Sequence, residues 1–248
     1  MGKPDVFDYA VFVVLLASSL FDWLWYWPRC VRAIRARVPG ARGRLYRDEI
    51  IALWAVTLWV LGLWIARARP WSALWLGSAV PWRLGIGFFV AAIIVGLLLL
   101  QARKVQKALT RPKAVASLRN QFSFADPLVP RTSGERRGFW LLSITAGICE
   151  EILFRGFLMW FIATWTGLVA AVVISSLLFG CAHIYLGTAH VPKTAIVGLL
   201  LALVVVASGS LWPAIVIHAA VDLNAGELGF RVGQAAGTPP EAAMPLTN

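Results

Sequence analysis

Long apolar runs separated by short polar connections are the dominant pattern of the chain. Several of these runs approach or exceed the ~18 consecutive apolar residues that mark a membrane-spanning helix. The pattern therefore predicts an all-α fold, a polytopic transmembrane helical bundle of about seven spans. The predicted spans cover residues 8–27, 50–66, 84–101, 139–162, 168–183, 194–208 and 212–228.

A further apolar stretch, residues 71–82, is shorter than a span; it follows Pro70 and contains Pro81. The stretch also contains three tryptophans, and tryptophan is enriched where a membrane meets water. We therefore expect residues 71–82 to lie in the membrane interface rather than to cross the bilayer.

The amino-acid composition indicates a membrane protein, and this changes how the positive net charge is interpreted. Hydrophobic residues make up 59% of the chain, which includes 13 Trp, and this is outside the range of soluble globular domains. The formal net charge of +11 would favour nucleic acid as the partner of a soluble protein. Here the basic residues lie between apolar runs, where they orient helices and meet anionic lipid head groups. We therefore expect membrane lipid as a partner and exclude nucleic acid.

Two connections carry most of the positive charge. Seven arginines lie between residues 29 and 47, and nine Lys or Arg lie between residues 103 and 137. Because basic loops stay on the cytoplasmic side of a membrane, we predict an N-terminus outside and a cytoplasmic C-terminus. We expect an integral protein of the bacterial cell (inner) membrane.

The polar linker from residue 101 to residue 137 separates the predicted domains. Residues 1–137 would form N-terminal transmembrane helices with basic cytoplasmic loops, residues 138–230 a catalytic helical core, and residues 231–248 a disordered tail rich in Pro, Ala and Gly. Asp22 lies near the end of the first span, where snorkelling or capping explains an acid. Chemistry is therefore expected only in the C-terminal part.

Three charged residues, Glu150, Glu151 and Arg155, interrupt the apolar run from Gly138 to Trp165. A charge in the hydrocarbon region costs roughly 2.5–3.5 kcal/mol, so such residues face a partner or a water-filled cavity. Glu151 and Arg155 lie four residues apart on one helix face and can pair. Glu150 has no neutralising neighbour on its own helix and needs a partner from another one. A buried ion network that only locks helices together is the alternative explanation.

Two histidines lie inside later spans, each with a side chain four residues away on the same face. Phe179 precedes His183, and His218 precedes Asp222, whose carboxylate can orient the imidazole. A carboxylate with two imidazoles is a minimal set for activating a water, either through a general base or through a metal that lowers the pKa of the water toward ~7. Both schemes use Glu150. The H-E-x-x-H zinc motif, the G-x-S-x-G elbow and the Walker loop are absent from the sequence.

Together these residues resemble the CPBP family of intramembrane proteases, which includes type II CAAX prenyl proteases and bacteriocin-processing or immunity (ABI-like) proteins. The resemblance covers residues 138–228 and does not extend to the N-terminal spans. It is carried by three motifs in order: Glu150-Glu151-x-x-x-Arg155, Phe179-x-x-x-His183 and His218-x-x-x-Asp222.

The resemblance implies a role for each of these residues. Glu150 would activate the attacking water, and His183 and His218 would complete the catalytic set. The family often has Asn where this chain has Asp222, and an ionised Asp cannot donate a hydrogen bond to an oxyanion. The supporting residues would be Glu151, Arg155, Phe179 and Asp222, and the candidate zinc ligands are His183, His218 and Glu150.

The function implied by the resemblance is an intramembrane endopeptidase that hydrolyses a peptide bond in a membrane-associated protein or peptide substrate, as CAAX proteases do. Zinc is one expected cofactor, and a glutamate mechanism without metal is the other scheme that the residues allow. Two further classes stay open. One is a non-catalytic immunity or partner-binding membrane protein, and the other is an ion or proton transporter, which flux measurements in liposomes would reveal.

Overall fold

The computed structural model describes residues 3–122 and 125–237, and these residues form helices without a β-strand. Each of the seven predicted spans is helical, so the all-α prediction is confirmed. Two π-helical segments, Asp22–Tyr26 and Glu151–Leu158, join α-helices end to end. The α-helices are α1 (Val6–Phe21), α2 (Trp27–Arg35), α3 (Ala41–Ala66), α4 (Pro81–Ala108), α5 (Pro112–Phe122), α6 (Ser133–Glu150), α7 (Met159–Thr166), α8 (Leu168–Ala182), α9 (Val191–Ser208) and α10 (Trp212–Ala235).

Several helices extend beyond the predicted span boundaries. The segment from Val6 to Arg35 is helical throughout, so much of the basic connection predicted after residue 27 is helix. α4 likewise continues to Ala108, and the predicted linker contains α5. The reason is that Arg, Lys and Gln are good helix formers, so a helix need not stop where its apolar run stops.

Among the described residues, four helical stretches are long and apolar enough to cross a membrane. Large apolar side chains such as Leu58, Phe89 and Leu97 are exposed on these helices, and a surface of this kind is suited to lipid rather than to water. The chain is therefore an integral membrane protein. The count of seven spans and the orientation of the termini stay predictions. The four stretches are Val6–Arg35, Ala41–Ala66, Pro81–Ala108 and Thr188–Ser208.

A central helical segment, formed by α6, the π-helix Glu151–Leu158 and α7, organises the bundle. Every residue of that π-helix is buried, including both of its charged residues. α3 and α10 pack against α6, and α8 packs against α7 and α9. Phe157, Leu158 and Met159 are each 1% exposed and belong to the largest apolar cluster of the described residues.

Small residues allow two close helix contacts that bring the polar motifs together. A Cβ on Gly147 of α6 would lie 2.8 Å from the Cβ of Ala219 of α10. A Cβ on Gly180 of α8 would lie 2.8 Å from the Cβ of Ala195 of α9. Without side chains at these glycines the backbones approach closely, as is common for helices packed in membranes.

The stretch predicted to lie in the interface folds back against the central segment. It contains a 3₁₀-helix, Trp71–Leu74, rather than a spanning helix. Leu74 is fully buried, and its side chain faces Gly156 of the π-helix. The backbone N–H of Leu211 also donates to the carbonyl of Trp75 at 3.0 Å. Location in the membrane interface stays a prediction.

Helices of the predicted N-terminal part and of the predicted core are in contact, and the division into domains stays a prediction. α3 of the N-terminal part packs on α6, and α4 packs on α9 and α10. α10 continues to Ala235, beyond the boundary predicted at residue 230. Of the predicted disordered tail, residues 238–248 lie outside the described residues.

Candidate active site

The predicted ion pair of Glu151 and Arg155 is present, and His218 also contacts Glu151. Arg155 Nη1 donates to Glu151 Oε1 at 2.9 Å, and His218 Nδ1 lies 2.7 Å from the same oxygen. Because a carboxylate oxygen only accepts, Nδ1 of His218 carries the hydrogen. The three side chains are 0%, 1% and 8% exposed, in the order Glu151, Arg155 and His218. Glu151 therefore links the central segment to α10 as well as balancing Arg155.

Glu150 lies on the other side of the same imidazole and faces both predicted histidines. Its Oε2 is 3.8 Å from His183 Nε2 and 3.9 Å from His218 Nε2. This oxygen is buried and accepts no hydrogen bond within the described part of the chain. The predicted convergence of Glu150, His183 and His218 is therefore observed, while their catalytic roles stay a prediction.

The hydrogen bonds at Nδ1 determine what the two imidazoles can do at Nε2. His183 Nδ1 lies 2.8 Å from the carbonyl oxygen of Phe179 and must donate to it, as His218 Nδ1 donates to Glu151. A neutral imidazole would then present an acceptor at Nε2, and an imidazolium would present a donor. Both Nε2 atoms are directed at the Glu150 carboxylate.

Phe179 packs between the charged groups and the histidines, as its position four residues before His183 predicted. Its ring centroid lies 4.6 Å from that of His183 and 5.9 Å from that of His218. The guanidinium carbon of Arg155 lies 4.0 Å from the same centroid, within range of a cation–π interaction. The ring thus limits the orientations of three polar side chains.

Asp222 lies near the site but does not hold His218 in the predicted way. Its Oδ2 is 3.7 Å from His218 Nε2, beyond hydrogen-bond distance, and its side chain is 37% exposed. Glu151 occupies Nδ1, so Glu151 rather than Asp222 fixes the orientation of the imidazole. Asp222 was the candidate from the sequence because it lies four residues after His218 on the same helix. Glu151, from another helix, contacts the His218 ring instead.

A cavity of about 400 Å³ joins these groups. Glu150, His183, His218 and Asp222 line it, together with apolar side chains from α3, α6 and α10. A mostly apolar cavity with a few convergent polar groups is the usual form of a ligand-binding site.

Residues that sequence reasoning missed also line this cavity. Asp22 and Glu49 come from the N-terminal helices, so the expectation that chemistry is confined to the C-terminal part is incomplete. His190, just before α9, lines the cavity too. The sequence feature that could have indicated Glu49 as a site residue is the acidic pair Asp48-Glu49 at the start of an apolar run.

Tyr185 is a further unpredicted residue of the cavity wall, in the connection after α8. Its ring lies beside His183 and beside Trp27, with centroid distances of 5.9 Å and 4.9 Å. Burial, and after it the nearby carboxylates of Glu150 and Glu49, raises the pKa of Tyr185 well above its usual value. The side chain is therefore a neutral phenol at physiological pH.

The predicted zinc ligands are adjacent but do not form a ready metal site. Ligand atoms around a tetrahedral zinc lie about 3.4 Å apart, because each bond is about 2.1 Å long. The separations from Glu150 to the two histidines are 3.8 and 3.9 Å. No group of three His, Cys, Asp or Glu side chains in the described ranges is placed to hold an ion. Zinc stays a prediction.

The fold and the site define a class of protein, a helical integral membrane protein in which a carboxylate and two imidazoles face one cavity. Residues 135–224, from the first turn of α6 into α10, match the family model described as type II CAAX prenyl endopeptidase Rce1-like. This match supports a CPBP family intramembrane protease, as the three motifs indicated. It includes every predicted site residue. No curated protein and no solved structure gives a significant match.

Proposed function

We propose that the protein is an intramembrane endopeptidase in which Glu150 activates a water that attacks a peptide bond of a membrane-associated substrate. The observation that carries the proposal is the position of Glu150 Oε2, 3.8 and 3.9 Å from the two histidine Nε2 atoms in one cavity. Separations of this length leave room for a bridging water. A general base with a water in hydrogen-bond reach is what hydrolysis requires.

In this scheme three side chains, Glu150, His218 and Glu151, have defined tasks. The Glu150 carboxylate removes a proton from the water while the water oxygen bonds to the carbonyl carbon. The protonated Glu150 then returns that proton to the amine as the C–N bond breaks. The developing oxyanion needs a donor, and an imidazolium at His218 supplies one through Nε2–H. The buried Glu151 carboxylate stabilises that imidazolium and holds its ring.

The matched family model supports a substrate of the CAAX type, and we propose a prenylated, membrane-anchored C-terminal peptide as the first to test. We further propose the bacterial cell membrane as the location, with the N-terminus outside and the C-terminus cytoplasmic. No contact among the described residues favours the immunity or transporter classes.

The test uses the purified full chain in lipid vesicles and a fluorogenic prenylated CAAX peptide. Glu150→Gln is expected to reduce cleavage by about 10²-fold or more, because the amide cannot act as a base. Glu227→Gln is the matched control, since Glu227 pairs with Arg231 and does not line the cavity. Equal cleavage by the Glu150→Gln and Glu227→Gln chains would contradict the proposal. Comparing membrane proteomes of cells with the intact chain and with Glu150→Ala would identify the natural product.

A further inference from the structure

Tyr185 reaches the cavity wall on the same turn as His183. The 3₁₀-helix Ile184–Leu186 follows His183 directly at the end of α8. The backbone N–H of Leu186 donates to the carbonyl of His183 at 3.0 Å. Gly187 then ends the turn with a φ of 107°, a conformation that favours glycine. The local backbone therefore places a phenol two residues after a candidate catalytic histidine.

The ring of Tyr185 is held by its neighbours, and its hydroxyl faces the reacting groups. The ring lies 5.9 Å from that of His183 with an interplanar angle of 28°, and 4.9 Å from that of Trp27. Among charged groups, the carboxylate of Glu150 acts most strongly on the hydroxyl. Tyr185 lines the same cavity as Glu150, so the phenol is directed toward the place where we propose that the water is activated.

The hydroxyl of Tyr185 differs from the two other packed tyrosine hydroxyls in having no partner. Tyr26 donates to the Asp48 carboxylate at 3.1 Å, and Tyr46 donates to the carbonyl of Leu128 at 2.6 Å. No such hydrogen bond is present for Tyr185 within the described ranges. A tyrosine with a packed ring usually has a partner for its hydroxyl. For Tyr185 that partner has to come from the cavity.

The proposed hydrolysis has a place for such a donor. Negative charge develops on the carbonyl oxygen as the water attacks, and several donors together commonly stabilise it. Glu150 acts as a base and only accepts. His183 donates through Nδ1 to Phe179, so in its neutral form it presents an acceptor at Nε2. No Lys or Arg lines the cavity in the described part of the chain, which leaves His218 as the donor assigned so far.

We propose that the Tyr185 hydroxyl donates a hydrogen bond to the carbonyl oxygen of the peptide bond that is cleaved, and that this bond strengthens as the oxyanion forms. The inference rests on the proposed peptidase function and adds a catalytic residue to it. The phenol keeps its proton throughout, because the proton of the water passes to Glu150 and then to the amine. His218 and Tyr185 would thus stabilise the oxyanion together.

The kinetic test is Tyr185→Phe, which keeps the ring against His183 and Trp27 and removes only the donor. We expect kcat to fall about 10²-fold, as for loss of one oxyanion donor, with little change in KM. Tyr185→Leu, which also removes the ring, should be no more active than Tyr185→Phe. The matched control is Tyr9→Phe, since Tyr9 is 43% exposed on α1 and does not line the cavity. It should cleave like the intact chain.

A binding measurement tests the same hydrogen bond without cleavage. The full chain carrying Glu150→Gln is titrated, in an uncharged maltoside detergent, with the prenylated peptide and with a phosphinic analogue of it. The analogue has a tetrahedral phosphorus and a negative oxygen in place of the reacting carbonyl. Adding Tyr185→Phe should weaken binding of the analogue about tenfold and leave binding of the peptide unchanged, because the donor acts mainly on the transition state. A Kd does not depend on how much of the preparation is folded.

The outcomes separate this inference from the proposed function. Selective loss of analogue affinity in Tyr185→Phe supports the donor even if no chain cleaves the peptide, in which case the peptidase proposal fails alone. Wild-type kcat and analogue affinity in Tyr185→Phe overturn the donor role, whether or not Glu150→Gln abolishes cleavage. Activity that survives Tyr185→Phe but not Tyr185→Leu also overturns it, because the ring would then act only by packing against His183. A higher KM at constant kcat would show a contact with the unreacted substrate and contradict the proposal.

Discussion

At the scale of single residues, Glu151 contacts two partners, whereas the sequence pattern predicted only its pairing with Arg155. One of its oxygens accepts from Arg155 on its own helix and from His218 on α10. The first contact follows from the spacing of four residues, and the second joins positions 67 residues apart. Glu151 is a positioning residue for the imidazole in addition to a partner for Arg155.

Replacing Glu151 with Gln tests the positioning role. The amide keeps the volume but not the charge, so it holds His218 less firmly and does not stabilise an imidazolium. We expect kcat to fall about 10-fold or more with little change in KM, because substrate binding does not use Glu151. Steady-state kinetics on the prenylated peptide measure both constants, with Glu227→Gln as the control. A rise in KM at constant kcat would contradict the assignment.

Replacing Arg155 with Ala tests the role of the pair in stability. Arg155 is 1% exposed, and its loss leaves the fully buried Glu151 carboxylate without its guanidinium partner. Breaking a buried pair in this way costs about 3–5 kcal/mol, so the membrane level and the thermal midpoint of the protein should fall. Arg103→Ala, at an exposed position of α4, should change neither. Normal accumulation of Arg155→Ala with complete loss of cleavage would place Arg155 in the active site instead.

At the scale of elements, the helix contacts determine the spacing of the candidate catalytic groups. α6 meets α10 at Gly147 and Ala219, one turn before Glu150 and next to His218. The π-helical segment Glu151–Leu158 then widens the helix at the point where Glu150 faces the cavity and Glu151 is buried. π-Helical segments often occur at functional sites. The first π-helical segment, Asp22–Tyr26, also borders the cavity.

Gly147→Ala tests the contact between α6 and α10. The added Cβ would lie 2.8–3.1 Å from Ala219 backbone and Cβ atoms, so α10 must move away from α6. We expect a stability loss of about 1–3 kcal/mol and weaker cleavage, since the separation of Glu150 and His218 increases. Gly96→Ala is the matched control, because no atom lies within 4 Å of its added Cβ and alanine favours a helix. Wild-type cleavage by Gly147→Ala would contradict this account.

At the scale of the whole molecule, the cavity lies between the N-terminal helices and the C-terminal helices that carry the three motifs. α3 supplies Glu49, the connection after α8 supplies Tyr185, and α10 supplies His218. Isolated residues 138–230 would therefore lack one wall of the site. The matched family model covers residues 135–224, and the N-terminal wall lies outside it.

The zinc prediction also belongs to this scale, because an ion would have to be held by several helices at once. The separations of 3.8 and 3.9 Å exceed the spacing of about 3.4 Å between ligand atoms of a tetrahedral zinc, and the scheme in which Glu150 acts without a metal predicts less than one zinc per chain in purified active protein. Cleavage should survive treatment with a chelator. Elemental analysis with an activity assay measures both quantities. Stoichiometric zinc whose removal abolishes cleavage would establish a metalloprotease and replace the scheme based on Glu150 alone.

Much of the fold could be predicted from local features of the sequence. Apolar runs of sufficient length predict helices because a backbone in lipid must satisfy its own hydrogen bonds. The pairing of Glu151 with Arg155 and the stacking of Phe179 near His183 follow from the helical repeat, which places residues four apart on one face. The convergence of Glu150 with two histidines followed from the cost of an unpaired charge in an apolar setting.

The remaining features depended on contacts between distant parts of the chain, which no local pattern specifies. Glu151 rather than Asp222 holds His218 because α10 approaches α6 at Gly147, and the segment after α6 is π-helical. Glu49 lines the cavity because α3 packs on α6. Sequence by itself determined the helices and the three motifs, and it indicated the candidate catalytic residues. Only the packing of helices against one another decided which side chains share the cavity, since that depends on which faces approach most closely.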